Sequence, residues 1–144
     1  AIEFLDARSA DGKIRKYRVM LVGGAMYPLH LAVSTHWKVH YFTADMLEFP
    51  EHRAEEARFL EDMPGALGPR AMRGLEAIRD ALGLDYAGVD FALDRDGTVL
   101  LFEANATMTV PNPPQGEMWA YRRAPIDRIL AAVRRLLTPA PTKR

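Results

Sequence analysis

Asp90, Glu103 and Asn105 are the residues of this chain whose types and spacing best suit chemistry. Glu103 and Asn105 lie two apart in the apolar run TVLLFEANAT (98–107), so in an extended strand they share a face while Phe102, Ala104 and Ala106 point the other way. Asp90 belongs to the preceding stretch DYAGVDFAL (85–93), and Asp94-Arg95-Asp96-Gly97 between the two has Asp at the first and Gly at the fourth position of a type I turn. That turn pairs Leu93 with Thr98 and sets Asp90 opposite Leu101, which would share a face with Glu103 and bring the three polar side chains together. A slip of one residue would part them. Two carboxylates and an amide oxygen, with no nitrogen or sulfur, suit magnesium sharing its shell with phosphate oxygens and water. The same spacing also suits an ordinary hairpin whose polar face is solvated and in which Asn105 starts a turn.

The elements that must position these residues follow from the hydrophobic pattern. Residues 2–5 read as a strand and Ser9-Ala10-Asp11-Gly12 as the turn after it. Residues 16–22 alternate, with Tyr17, Val19 and Leu21 on one side and Arg18, Met20 and Val22 on the other; Gly23-Gly24 turns the chain and 25–33 returns. Pro28 marks that return as an edge strand or a bulge. A further extended piece over 37–42 would place Lys38 and His40 on one side with His36. Behind Pro50, the spacing of Ala54, Ala57, Phe59 and Leu60 predicts a helix over 51–63, ended by Pro64-Gly65. A second helix spans 69–82, with Met72, Leu75, Ile78, Ala81 and Leu82 as its buried stripe and Gly83 as its stop. Residues 111–116 form a loop directly after the candidate ligands, and a last helix over 125–137 buries Ile126, Ile129, Leu130, Val133 and Leu136. The fold class expected is α+β, an antiparallel sheet with helices packed on one side.

The chain has 144 residues, 49% of them hydrophobic, enough for one domain with a real core over 1–138, with 139–144 as a frayed tail. Its 19 basic and 19 acidic residues cancel, which gives none of the basic field that a nucleic-acid partner demands. The absence of Cys excludes disulfides and thiolate metal sites and is compatible with a cytoplasmic location. Gly23, Gly24, Pro28 and His30 interrupt the longest apolar region, so no membrane partner is expected. The chain enters a strand-like segment directly at Ala1, as a piece of a larger protein would. Apolar surface left at such a cut would favour a homo-oligomer.

The stretches Tyr86-Ala87-Gly88-Val89-Asp90-Phe91, Asp96-Gly97 and Leu101-Phe102-Glu103-Ala104-Asn105-Ala106-Thr107-Met108 resemble the metal-binding end of the ATP-grasp superfamily, which includes D-alanine ligase, glutathione synthetase and the ribosomal-protein glutamate ligases. The resemblance implies the C-terminal half of an ATP-grasp domain, with ATP and Mg as cofactors and Asp90, Glu103 and Asn105 as metal ligands, Glu103 bridging two ions. Residues 1–6 look like the hinge strand, which implies adenine contacts from the backbone near Glu3, Phe4 and Leu5 and a ribose contact from Asp6. Residues 16–24 (KYRVMLVGG) are similar to the family strand whose arginine, here Arg18, contacts the transferring phosphate. Lys38 and His40 fall where the family places basic side chains near the γ-phosphate. HWKVHYFTADM (36–46) and EHRAEEARFLEDMP (51–64) also resemble a bacterial branch in which this unit is appended to tetratricopeptide repeats. The function so implied is half of an ATP-dependent carboxylate–amine ligase that works through an acyl-phosphate. Its partners would be a small-molecule or peptide carboxylate, an amine, and the missing N-terminal part of the same protein. The alternative is a regulatory or degenerate module that binds nucleotide without ligating anything.

Overall fold

The computed structural model describes residues 7–36, 45–113 and 115–138. Alternating residues build β1 (Ile14–Val22), which turns through Gly23 and Gly24, both at positive φ (57° and 80°), into β2 (Ala25–Ser34). Two successive left-handed positions are what a two-residue hairpin turn needs, and glycine takes them without a Cβ penalty. Strands β3 (Tyr86–Leu93) and β4 (Val99–Asn105) complete an antiparallel sheet in the order β2-β1-β3-β4. Pro28 meets the expectation of an edge strand or a bulge: among the described residues β2 lies at the sheet edge, and its pairing with β1 shifts between Arg18 and Val19.

The two faces of the sheet carry separate cores. Tyr17, Val19, Leu21, Ala87, Val89 and Phe91 pack on one face with Phe59, Leu60, Leu67 and Leu75 from the helices α1 (Pro50–Glu61) and α2 (Met63–Leu82). On the other face Met20, Val22 and Leu29 pack with Ile126, Ile129 and Ala132 of α3 (Arg123–Leu137), which follows a 3-10 turn at Glu117–Arg122. The α+β class and the antiparallel sheet are as expected. One-sided packing holds for α1 and α2, while α3 covers part of the opposite face. None of the helices among the described residues is long and apolar enough to cross a membrane.

The helix boundaries differ from the pattern in one instructive place. Pro64 and Gly65 do not end α1; the break falls at Asp62, whose carboxylate accepts from the Gly65 N–H at 3.0 Å and caps the next helix. Proline fits there because an N–H in a helix's first turn has no helical partner to lose. Gly68 then breaks the helical path at φ 79°, so Pro69 restarts it and Gly83, at φ 59°, stops it as expected. Ala54 and Ala81 are exposed, and Leu136 keeps 38% of its surface exposed.

The hairpin of β3 and β4 departs from simple pairing twice. Gly97 donates to the Asp94 carbonyl at 3.1 Å in the expected turn, but Leu93 then pairs with Val99, not with Thr98. A second shift follows between Asp90 and Phe91: Phe91 pairs with Leu101 and Asp90 with Glu103, which leaves Phe102 as the extra residue of a bulge. Leu101 is therefore the partner of Phe91 and not of Asp90. Each slip reverses which side chains face which way, and the two together restore Glu103 and Asn105 to the face of Asp90.

Gly88, opposite Asn105, lets the segment after β4 settle on that face, where the Tyr86 hydroxyl donates to the Met108 carbonyl at 2.6 Å. A methyl at Gly88 would lie 2.4 Å from Met108 Cγ and 2.6 Å from its Cβ. Gly88→Ala is expected to cost about 1–3 kcal/mol, read as a lower urea midpoint at unchanged slope; an unaltered midpoint would show that Met108 is not seated there.

Candidate functional site

A row of polar side chains crosses the sheet at the level of its two irregularities. His30 pairs with Arg18, Arg18 with Asp90, and Asp90 with Glu103, so β2, β1, β3 and β4 each contribute one residue. Lys16 and Asn105, two positions from Arg18 and Glu103, share that face. Arg18 grips Asp90 with both arms of its fork, Nε donating to Oδ1 at 2.5 Å and Nη2 to Oδ2 at 2.8 Å. Lys16 Nζ lies 2.6 Å from the same Oδ2. The Asp90 side chain has no exposed surface, whereas Arg18 and Lys16 keep about a fifth of theirs (20% and 21%).

Burial alone would push the Asp90 carboxyl up, but the hydrogen bonds and charges of Arg18 and Lys16 outweigh it and hold the group below the usual carboxylate range. His30, 5% exposed, goes the other way. Its removal from water, reinforced by the positive charges of Arg18 and Arg122, depresses it to about 3 against an opposing pull from Asp90, with Lys16 adding a smaller push. His30 is thus a neutral packed imidazole at neutral pH, beside a carboxylate that stays charged.

Glu103 is exposed and Asn105 half-buried. Asn105 Nδ2 donates to Glu103 Oε1 at 3.1 Å, while Asn105 Oδ1 accepts from the Thr107 N–H at 2.8 Å and its hydroxyl at 2.7 Å. Asn105 therefore starts a turn and steadies Glu103 at once. Among the described residues no three of His, Cys, Asp and Glu gather as they would around a metal ion. Two cross-strand carboxylates and one amide share this face, with both Asp90 oxygens taken by Arg18 and Lys16 and the Asn105 amide oxygen by Thr107. Glu3, Phe4, Leu5, Asp6, Lys38 and His40, and the segment over 37–42, lie outside the described residues. A cavity of about 590 Å³ opens on the opposite face among Arg15, Tyr17, Glu55 and Phe59, away from the row. Its Arg15 is already paired with Glu55 and Asp11.

Two buried polar residues of α1 belong to a network that the apolar pattern passes over. Glu56 accepts from the Leu31 N–H at 3.2 Å on the edge of β2 and from the Tyr121 hydroxyl, and lies 3.5 Å from Arg122 Nε. His52 is held between Lys13 Nζ at 2.8 Å and the Asp45 carbonyl at 3.0 Å. The signal was in the spacing: 52, 56, 59 and 60 follow the i, i+4, i+7, i+8 line of one helix face, so His52 and Glu56 stand in the buried stripe that Phe59 and Leu60 continue. Lys16 was equally available, two residues before Arg18 on the same strand face.

Compared with protein-family models, curated proteins and solved structures, the chain matches none.

The depressed His30 predicts acid sensitivity above the range where carboxylates titrate. Between pH 6.5 and about 3 the unfolded chain binds a proton at His30 that the folded chain refuses, so stability is complete above 6.5 and declines as pH falls. Urea unfolding at pH 7.5 and pH 5 should differ by up to about 2 kcal/mol from this residue, and a folded His30→Gln variant should lose that part of the difference. An equal slope in both proteins would remove His30 as its source.

Proposed function

We infer that this chain carries the magnesium- and phosphate-binding half of an ATP-grasp-type nucleotide site, which in the whole protein activates a carboxylate for attack by an amine. The observation that supports the reading is the juxtaposition across three strands of two cations, Lys16 and Arg18, with the oxygen donors Asp90, Glu103 and Asn105. Phosphoryl transfer asks a protein mainly for positioning and for charges set in advance where negative charge develops. Glu103 and Asn105 lie on the accessible side and are the residues to meet an incoming cation; Arg18, on a rigid central strand, is the residue to meet the transferring phosphoryl group. Magnesium, when bound, would draw charge from the β and γ phosphates. The carboxylate substrate then attacks the γ-phosphorus, the bond to the ADP oxygen breaks, and an acyl-phosphate forms. Attack of the amine on the acyl carbon forms the C–N bond, expels phosphate and releases a proton.

Calorimetry with a nonhydrolysable ATP analogue tests the site. The analogue should bind in the presence of magnesium, and Glu103→Gln should weaken that binding by about tenfold or more, on the order of 1.4 kcal/mol, with an unchanged far-UV circular dichroism spectrum. In the whole protein the same variant should lose ATP turnover. Wild-type affinity and turnover in Glu103→Gln would remove the assignment.

A further inference from the structure

Lys16 and Arg18 are both spent on a single carboxylate. Two positive charges face one negative charge that is fully withdrawn from solvent, and no other acidic side chain is recorded within ion-pair distance of either cation among the described residues. The neighbouring groups cannot stand in for them: His30 is neutral, and Arg122 faces Glu56. An incoming polyphosphate therefore meets a pair already taken, and it meets the negative charge of Asp90 behind that pair. Removing Asp90 from the contest needs a positive charge of its own, because a buried carboxylate stripped of its partners is strongly destabilising. Glu103, exposed and directly opposite Asp90, is the carboxylate that an incoming cation would meet first.

We propose that Lys16 and Arg18 form a polyphosphate-binding pair that Asp90 holds closed in the ligand-free protein, and that a divalent cation taken up between Asp90 and Glu103 opens it, so that cation and polyphosphate bind as mutually dependent ligands. This rests on the nucleotide reading for the identity of the natural ligand, but the closing of the pair by Asp90 is a property of the three side chains alone. Cation uptake adds positive charge beside Asp90 and frees both donors, the guanidinium for two oxygens and the ammonium for a third. By linkage, the factor by which the cation tightens polyphosphate binding equals the factor by which polyphosphate tightens cation binding.

Calorimetry with inorganic tripolyphosphate, in EDTA or in magnesium, on wild type and Asp90→Asn, is the test. Wild type should bind about tenfold or more tightly with magnesium than in EDTA, within the usual span of coupled sites. Asp90→Asn, its pair already open, should bind in EDTA about tenfold more tightly than wild type does, and gain little from magnesium. A folded Asp90→Asn no tighter than wild type in EDTA overturns the proposal, as does wild-type binding indifferent to magnesium. If circular dichroism shows Asp90→Asn unfolded, Lys16→Gln decides: tripolyphosphate binding in magnesium should weaken about tenfold, and an unchanged affinity overturns the proposal. Adding the ATP analogue separates the two readings. Magnesium-dependent tripolyphosphate binding with no affinity for the analogue sinks the nucleotide site and leaves the closed pair standing; analogue binding that ignores magnesium sinks the closed pair alone.

Discussion

A carboxylate with no exposed surface, Asp90, stays charged in the middle of the sheet only because Arg18 and Lys16 reach it from the neighbouring strand. The arrangement is demanding. Taking ions out of water costs several kcal/mol per charge, of the order of the whole stability of a domain, and is offset only by good geometry on every oxygen. Both Asp90 oxygens are met, one by the Arg18 Nε and the other by two donors. The pairing in turn fixes the register of β1 against β3, since sliding either strand by one residue would leave the carboxylate in an apolar core and the cations on the wrong side. The polar row is thus a locking element of the sheet.

A second buried charge performs a comparable task at the sheet edge. Glu56 takes the Leu31 N–H, for which β2 has no further strand among the described residues, and links that edge to the Tyr121 hydroxyl and the Arg122 guanidinium. Edge strands present unpaired backbone groups that must be covered or blunted, and here a helix side chain does the covering. Because Tyr121 and Arg122 immediately precede α3, the same contact helps seat the helix that packs on the opposite face. One carboxylate therefore ties α1, β2 and the entry to α3 together.

Much of this was legible in the residues. Alternation in 16–22, the Gly23-Gly24 turn, the edge position of Pro28 and the stop at Gly83 all follow from local stereochemistry, and the structure has them where local rules put them. The common face of Asp90 and Glu103 was legible too, though through a register that the structure corrects: two single-residue irregularities, at Gly97 and Phe102, cancel each other. Neither bulge is written in the alternation, because each arises from the balance of turn geometry against packing on both faces. What local pattern could not supply was partnership. Nothing in the spacing of Asp90 says that Arg18, 72 residues away, and Lys16 will hold it, nor that Glu56 will meet Tyr121 at a separation of 65. Those contacts belong to the tertiary fold, which brings together residues that no window on the chain contains.

The bulge at Phe102 has one more consequence. Among the described residues β4 ends the sheet, with Leu101 and Phe102 each about half exposed (50% and 49%), and a smooth apolar margin of that kind is a template on which another polypeptide can add itself. An extra residue midway along the strand breaks the rhythm of backbone donors and acceptors, and Glu103 sets a negative charge next to the break. The same extra residue that sets Glu103 opposite Asp90 thereby also makes this margin a poorer template for strand addition.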